Sequence, residues 1–383
     1  MTSRAPAEPV LPAYGDRSLA DLVPSIAARL GMKGAVDVLG LPEARRIVLL
    51  LVDGLGAEGL ATAAAQHAPV LAELAGRSGT LTTCFPSTTS TSLTSLATGL
   101  PPGQHGIVGY QFRVAGHGLL NTLRWPDSLD PSLVQTRPNR LAGLAAAGIP
   151  TSHVGPRAHT WSGLTRAAMA GTTYTGADSP GEKVAATMAA LRADGPVLVN
   201  VYTPELDNTG HLNGVDSDAW RAQLGHVDRL VEQLVAALPA DAVLLITGDH
   251  GMVDADADAA VDVENDPELA TGVALLGGEP RARHVYATDG AASDVVAAWT
   301  EKLAAVAWVR SRDQAIDEGW FGPVDDGVRD RIGDVVAACH APGSLLVAGR
   351  TNPHETLLVG HHGSLTSAEA LVPLLIAGPS WRE

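Results

Sequence analysis

Carboxylate, imidazole and hydroxyl side chains recur along this chain in short stretches beside apolar runs. Asp53 follows the run in LLLVDGLG, and FPSTTSTSLTSLATG crowds Thr88, Thr89 and Ser90 together. Asp207 and His211 lie in YTPELDNTGH, Asp249 and His250 in LLITGDHGM, and His361 and His362 in GHHGS. Three aspartates, three histidines and a hydroxyl are what two adjacent divalent ions and a nucleophile require. Hard carboxylate oxygens mixed with imidazole nitrogens suit Zn²⁺, with Mn²⁺ as the alternative. The chemistry such a set performs is hydrolysis at phosphorus.

Each stretch has an ordinary reading beside the chemical one. Asp53-Gly54 is a common turn pair. Gly54-Leu-Gly56-Ala-Glu-Gly59 formally matches the glycine fingerprint of a dinucleotide site. That site also needs an acidic residue at the end of the next strand, where this chain has Thr-Thr-Cys-Phe-Pro. The nucleotide-cofactor reading therefore fails. Ser and Thr at a helix start are usual caps, yet a helix start also binds phosphate through its free N–H groups. Chemistry alone leaves Thr88, Thr89 and Ser90 open as the nucleophile. Asp207 and His211 are four apart, so a helical turn puts both on one face where they can share an ion. Asp249 and His250 are adjacent and converge only if the chain turns sharply there.

The elements that must position these residues read as alternating strands and helices. IVLLLV at 47–52 has no polar alternation, as a central parallel strand requires. Similar runs lie at 197–202 and 243–247, with a short strand expected over 80–84. Apolar periodicity predicts helices over 18–30, 57–75, 91–98 and 219–237. The rhythm implies an α/β fold: a doubly wound, mostly parallel central sheet with helices on both faces. Residues 1–16 are expected to drape over the surface, and 106–140 to form a hairpin and loop. Residues 253–350 read as a small inserted α+β subdomain within one catalytic domain spanning 1–383. Its opening run DADADAAVDVENDPE lacks the glycine and closing glutamate of a calcium loop and reads as a solvated loop.

Bulk properties narrow the partners. A formal net charge of −16 excludes nucleic acid polymers and anionic membranes as bulk partners. A small phosphate-ester substrate stays compatible, because bound metal ions supply local positive charge. Two cysteines cannot build a disulfide framework. No secretory h-region or membrane-spanning run is visible, so the expectation is a soluble cytoplasmic protein. The oligomeric state is not legible.

Taken together, LLLVDGLG, FPSTTSTSLTSLATGLPPGQHGIVG, YTPELDNTGH, LLITGDHGM and GHHGS resemble the alkaline phosphatase superfamily, nearest its nucleotide pyrophosphatase/phosphodiesterase branch. They stand in family order between residues 47 and 363. The resemblance implies an alkaline-phosphatase-like fold. It makes Thr89 the nucleophile, counted back from Ala-Thr-Gly-Leu, and has it reach a metal pair. One ion is implied on Asp207, His211 and His362, the last chosen over His361 because it directly precedes the glycine. The second is implied on Asp53, Asp249 and His250. The implied reaction is in-line attack by Thr89 on phosphorus, then hydrolysis of the phosphothreonine.

The chain departs from the branch around this centre. Tyr110 stands where an Asn holds a nonbridging oxygen, Thr88 replaces a Lys, and Ser90 replaces a Phe that packs on a base. Tyr110 is therefore a candidate substrate-binding residue, either donating a hydrogen bond to a phosphoryl oxygen or only packing. The substitutions keep a phosphomonoesterase or phosphonate hydrolase as the alternative activity. A sulfatase is disfavoured because Thr88 occupies the Arg position of Cys-x-Pro-x-Arg. A cofactor-independent phosphoglycerate mutase would need a serine nucleophile and a separate transferase domain. A catalytically degenerate binding protein is the reading of another class, opposed by all seven site positions being filled.

Overall fold

The computed structural model describes residues 8–77 and 79–378. The expectation for residues 1–16 thus falls partly outside the described residues. The central sheet has seven strands: β1 (Arg46–Val52), β2 (Gly79–Thr82), β3 (Thr151–Gly155), β4 (Thr173–Gly176), β5 (Val197–Thr203), β6 (Ala242–Gly248) and β11 (Leu371–Ala377). Their spatial order is β2-β11-β6-β1-β5-β3-β4. The pairings among β6, β1, β5, β3 and β4 are parallel, while β11 runs antiparallel to both of its neighbours.

The unbroken apolar run of β1 has a direct cause. Val48, Leu50 and Val52 belong to the core on one face of the sheet, and Ile47, Leu49 and Leu51 to the core on the other. Helices Ala57–His67 (α1) and Asp218–Ala237 (α4) contribute to the first, and Leu22–Arg29 with Thr89–Thr98 (α2) to the second. With every side chain from Ile47 to Val52 buried, a polar residue at any of these positions would lack a partner, and each apolar one contributes about 1.5–3 kcal/mol. The α/β fold with a mostly parallel sheet is the architecture expected from the sequence.

Several local expectations need correction. The helix expected over 57–75 is two helices, Ala57–His67 and Pro69–Ala75, because Ala68 at φ −147°, ψ 68° precedes proline, which disfavours helical geometry. The helix over 18–30 begins as a 3₁₀ turn at Leu19–Asp21 and is α-helical only over Leu22–Arg29. Strands β3, β4 and β11 were not expected. In β11, LVPLLIA contains a proline, which argues against a strand interior. Pro373 is tolerated because residues 371–374 pair with β2 alone, while 375–377 pair with β6 alone.

Between β6 and β11 the chain forms a second, antiparallel sheet of β7 (Val273–Glu279), β8 (Ala282–Ala287), β9 (Ala307–Ser311) and β10 (Val335–Cys339), ordered β7-β8-β10-β9. Trp299 on the helix Ala292–Leu303 fills its core with Val285 and Val335. The 106–140 region holds the hairpin Gln111–Val114/Gly118–Asn121. Among the described residues no helix is long and apolar enough to cross a membrane.

Candidate two-metal active site

Parallel pairing brings the site together. Val52 is level with Thr203 on β5 and Gly248 on β6, so the chain leaves three adjacent strands at one edge of the sheet. Asp53 and Asp249 follow β1 and β6 directly, and helix α3 (Glu205–Asn213) begins just after β5, carrying Asp207 and His211. This is the carboxyl edge where open α/β sheets bind ligands. Gly54 allows the approach. It sits at φ +74°, and a Cβ there would meet the Asp207 Cα and Cβ at 3.0 Å. The Gly54 N–H donates to Asp249 Oδ1 at 3.1 Å.

Two clusters result. Asp53, Asp249 and His250 form one and Asp207, His211 and His362 the other, with ligand atoms in each within 4.8 Å of one another. His250 Nε2 lies 3.4 Å from both Asp53 Oδ1 and Asp249 Oδ2. His211 Nε2 is 3.3 Å from Asp207 Oδ2, and His362 Nε2 is 3.8 Å from Asp207 Oδ1. The rings of His250 and His362 stack at 3.7 Å and join the clusters. Thr89, the first residue of α2, reaches between them, with Oγ1 3.2 Å from His250 Nε2 and 3.5 Å from Asp53 Oδ1.

The histidines are held in one tautomer. His250 Nδ1 lies 3.0 Å from the Gly251 carbonyl, His211 Nδ1 2.8 Å from that of Gly360, and His362 Nδ1 2.9 Å from that of Ser87. A carbonyl only accepts, so each Nδ1 carries the proton and each Nε2 turns a lone pair to its cluster. This is the arrangement that metal-ligating histidines adopt. His361 does the reverse, donating from Nε2 to the Leu358 carbonyl at 3.2 Å, and takes no part.

Electrostatics show what the site lacks. Among the described residues none of the three aspartates pairs with a lysine or arginine. Burial, then the charges of Asp249 and Asp207, push the Asp53 carboxyl well above its usual range. Burial also raises Asp249, against the opposing effect of His250. Burial works the same way on Asp207, but the His211 hydrogen bond and the neighbouring imidazoles outweigh it and hold the group at about 2. Asp207 Oδ1 and Asp249 Oδ2 are buried without any hydrogen-bond partner. Unsatisfied buried carboxylate oxygens facing imidazole lone pairs are what divalent cations neutralise, so the donor set fits two metal ions.

Of the other residues singled out, Thr88 stands at the N-cap position of α2 but turns its side chain to Glu279 rather than capping the helix, and Ser90 turns away to donate to the Gly109 carbonyl at 3.2 Å. Tyr110 accepts a hydrogen bond from Asn121 Nδ2 at 2.7 Å, which leaves its own O–H to donate. It lines a cavity of 380 Å³ beside Thr89, while a second of 490 Å³ opens on the other side of Thr89 past Asp53 and His159. Sequence reasoning missed Tyr202, whose O–H donates to Asp53 Oδ2, and Glu279, a buried carboxylate at the Tyr110 cavity with Oε1 unpartnered. Tyr202 ends an apolar strand and so reads as core, and Glu279 closes β7 far from any motif.

Among solved structures the chain is similar to murine ectonucleotide pyrophosphatase/phosphodiesterase 5 in an inactive form complexed with AMP, at 18% identity and TM-score 0.69, covering 88% of each chain. The same murine protein in another structure matches at 19% identity and TM-score 0.68, over 87% of this chain and 88% of that one. The human counterpart gives 18% identity and TM-score 0.68 over 87% and 88%. These likenesses concern the fold. No curated protein matches the chain. The model of the type I phosphodiesterase/nucleotide pyrophosphatase family matches residues 47–365, a span that includes every candidate ligand described above. The chain belongs to that family and is a hydrolase acting on phosphoric ester bonds.

Proposed function

We propose that the protein is a two-metal phosphodiesterase that works through a covalent phosphothreonine at Thr89. The observation that carries this reading is the common tautomer of His211, His250 and His362, which aims three lone pairs at two carboxylate clusters on either side of one hydroxyl. Asp207, His211 and His362 would hold one ion and Asp53, Asp249 and His250 the other, with Thr89 shared. Zn²⁺ fits this donor set best and Mn²⁺ next. Bound there, the ions would supply Lewis acidity that acidifies a hydroxyl and neutralises phosphoryl charge.

The chain's own groups do the rest. Thr89 Oγ1 gives its proton to solvent and bonds to phosphorus as the bond to the leaving alkoxide breaks, and that alkoxide takes up a proton from solvent. Water then attacks phosphorus, the Thr89 oxygen departs and regains its proton, and a phosphate monoester is released. Free N–H groups at the start of α2 and the Tyr110 hydroxyl are placed to donate to nonbridging oxygens. Tyr202 orients Asp53. A diester has two substituents, and two cavities meet at Thr89, which supports diester over monoester turnover. The substrate is a small ester, with no role for a nucleic acid polymer or a membrane.

Thr89→Ala should lower hydrolysis of bis-p-nitrophenyl phosphate by about 10³-fold or more while about two metal ions per chain are retained. Full turnover in that variant would remove Thr89 from the mechanism. Faster turnover of p-nitrophenyl phosphate than of the diester by the wild type would favour a monoesterase.

A further inference from the structure

We infer that the protein carries a second oxyanion site, remote from both carboxylate clusters, which takes a phosphoryl group on Arg331. The site is a cleft of 420 Å³ between the 104–138 segment and the 325–331 segment, lined by Gln104, Thr136, Arg137, Asp325, Gly327 and Arg331. None of its lining residues lines the cavities beside Thr89.

Arg331 is built in rather than dangling. Its Nη1 donates to the carbonyls of Gly106 and Val134, both at 2.8 Å. Gly106 leaves the room for this, since a Cβ there would meet Nη1 at 2.4 Å. The half-buried guanidinium makes no ion pair among the described residues, and burial alone shifts it, downward. Its Nε and Nη2 donate to no described group. The neighbouring Arg137 is already neutralised by Asp325, and the buried His105 beneath is neutral, its pKa pushed down to about 3 by burial and by the Arg331 charge. One uncompensated positive charge therefore faces this cleft in a chain whose net charge is −16.

The remaining groups suit a tetrahedral anion. The Gln104 amide and the exposed Thr136 hydroxyl hydrogen-bond to no other described residue, so both walls of the cleft offer free donors. A phosphoryl group has enough acceptor oxygens for all three and pairs with the free guanidinium edge in the two-pronged manner that arginine favours. The volume exceeds that of inorganic phosphate, so the ligand class extends to small phosphorylated molecules.

Equilibrium dialysis of the metal-loaded enzyme against radiolabelled inorganic phosphate tests this. The wild type should bind two phosphates per chain, one of them at the catalytic centre. Arg331→Gln should weaken the second by about tenfold or more. Gly327→Asp is the companion variant: Gly327 lines the cleft and a Cβ there meets nothing within 4 Å, so a carboxylate is added at the cleft with no clash at its Cβ. It should abolish the second site by charge repulsion and leave kcat/KM for the diester unchanged. A single phosphate per wild-type chain, or two undiminished sites in Gly327→Asp, would overturn the proposal.

Discussion

The two carboxylate clusters differ in what holds them. Asp53 and Asp249 leave adjacent strands of the sheet centre, Asp249 and His250 are fully buried, and Gly54 clamps Asp249 through its N–H. In the other cluster Asp207 and His211 ride on α3, and His362 arrives from beyond the second sheet, where Gly360–His361 pairs with Val253–Asp254. The His211 side chain is 23% exposed against 0% for His250. One cluster is thus part of the sheet's own framework, and the other is assembled on its rim from a helix and a segment distant in sequence. The framework cluster holds Thr89, the proposed nucleophile, through Asp53 and His250, while the rim cluster gives His211 and His362 to the cavity that Tyr110 lines.

The largest effect that tests this difference is Asp249→Ala. It should cost about 10³-fold or more in turnover and remove one of two ions in metal analysis. His211→Ala should also lose one ion, but as a weakened site that excess metal refills, restoring a measurable part of the activity. Equal rescue of both variants by added metal would erase the distinction. In wild-type protein a chelator should strip one ion faster than the other, and the faster loss should be the one that His211→Ala accelerates.

Asp53→Asn sharpens the comparison from the side of stability. Without metal, Asp53 is a buried carboxylate facing Asp249 and Asp207. Neutralising it should stabilise metal-free protein by on the order of 1 kcal/mol, while destabilising the metal-loaded form. Thermal unfolding with and without chelator reads both signs, and a loss of stability in both states would mean the carboxylates do not repel. A smaller effect is expected from Tyr202→Phe, which deletes only the donor to Asp53 Oδ2. Loss of such a supporting group typically costs about 10–100-fold in metal affinity or activity. No change would reduce Tyr202 to a packing residue.

Much of the framework cluster was legible in the sequence because its candidate ligands follow buried strands directly, so residue order almost dictates position. Asp207 and His211 were legible through helical spacing. The features that fit these side chains to a metal were not. The carbonyls of Gly251, Gly360 and Ser87 set the histidine tautomers, and a backbone carbonyl leaves no residue signature. The choice of His362 over His361 came from a following glycine, whereas in the structure it is the ring nitrogen each histidine spends on the backbone that separates them. Pro69 was a readable helix break that strong apolar periodicity on either side concealed. Pro373 misled in the other direction, because the one-sided pairing that accommodates it depends on strands far apart in sequence.

The same nitrogen accounting separates the candidate ligand histidines from structural ones and yields the smallest predicted effect. His105 accepts from the Ile107 N–H on Nδ1 at 3.1 Å and donates from Nε2 to Ser95 Oγ at 2.8 Å. His284 likewise accepts on Nδ1 from Gly333 and donates from Nε2 to the Val108 carbonyl. Neither has a lone pair left for a metal, and burial holds His105 near 3 and His284 near 4. Such a histidine is neutral when folded but takes up a proton on unfolding below about pH 6.5. Its contribution to stability is complete above that pH and falls as pH drops toward the folded value, by up to about 1.4 kcal/mol per pH unit. In metal-free protein, His105→Gln should therefore flatten the loss of stability between pH 6.5 and about 3 by close to one proton's worth, while leaving metal content at neutral pH at two ions. An unchanged slope would mean that His105 is protonated inside the fold, and a lost ion would mean that counting free nitrogens does not tell the two kinds of histidine apart.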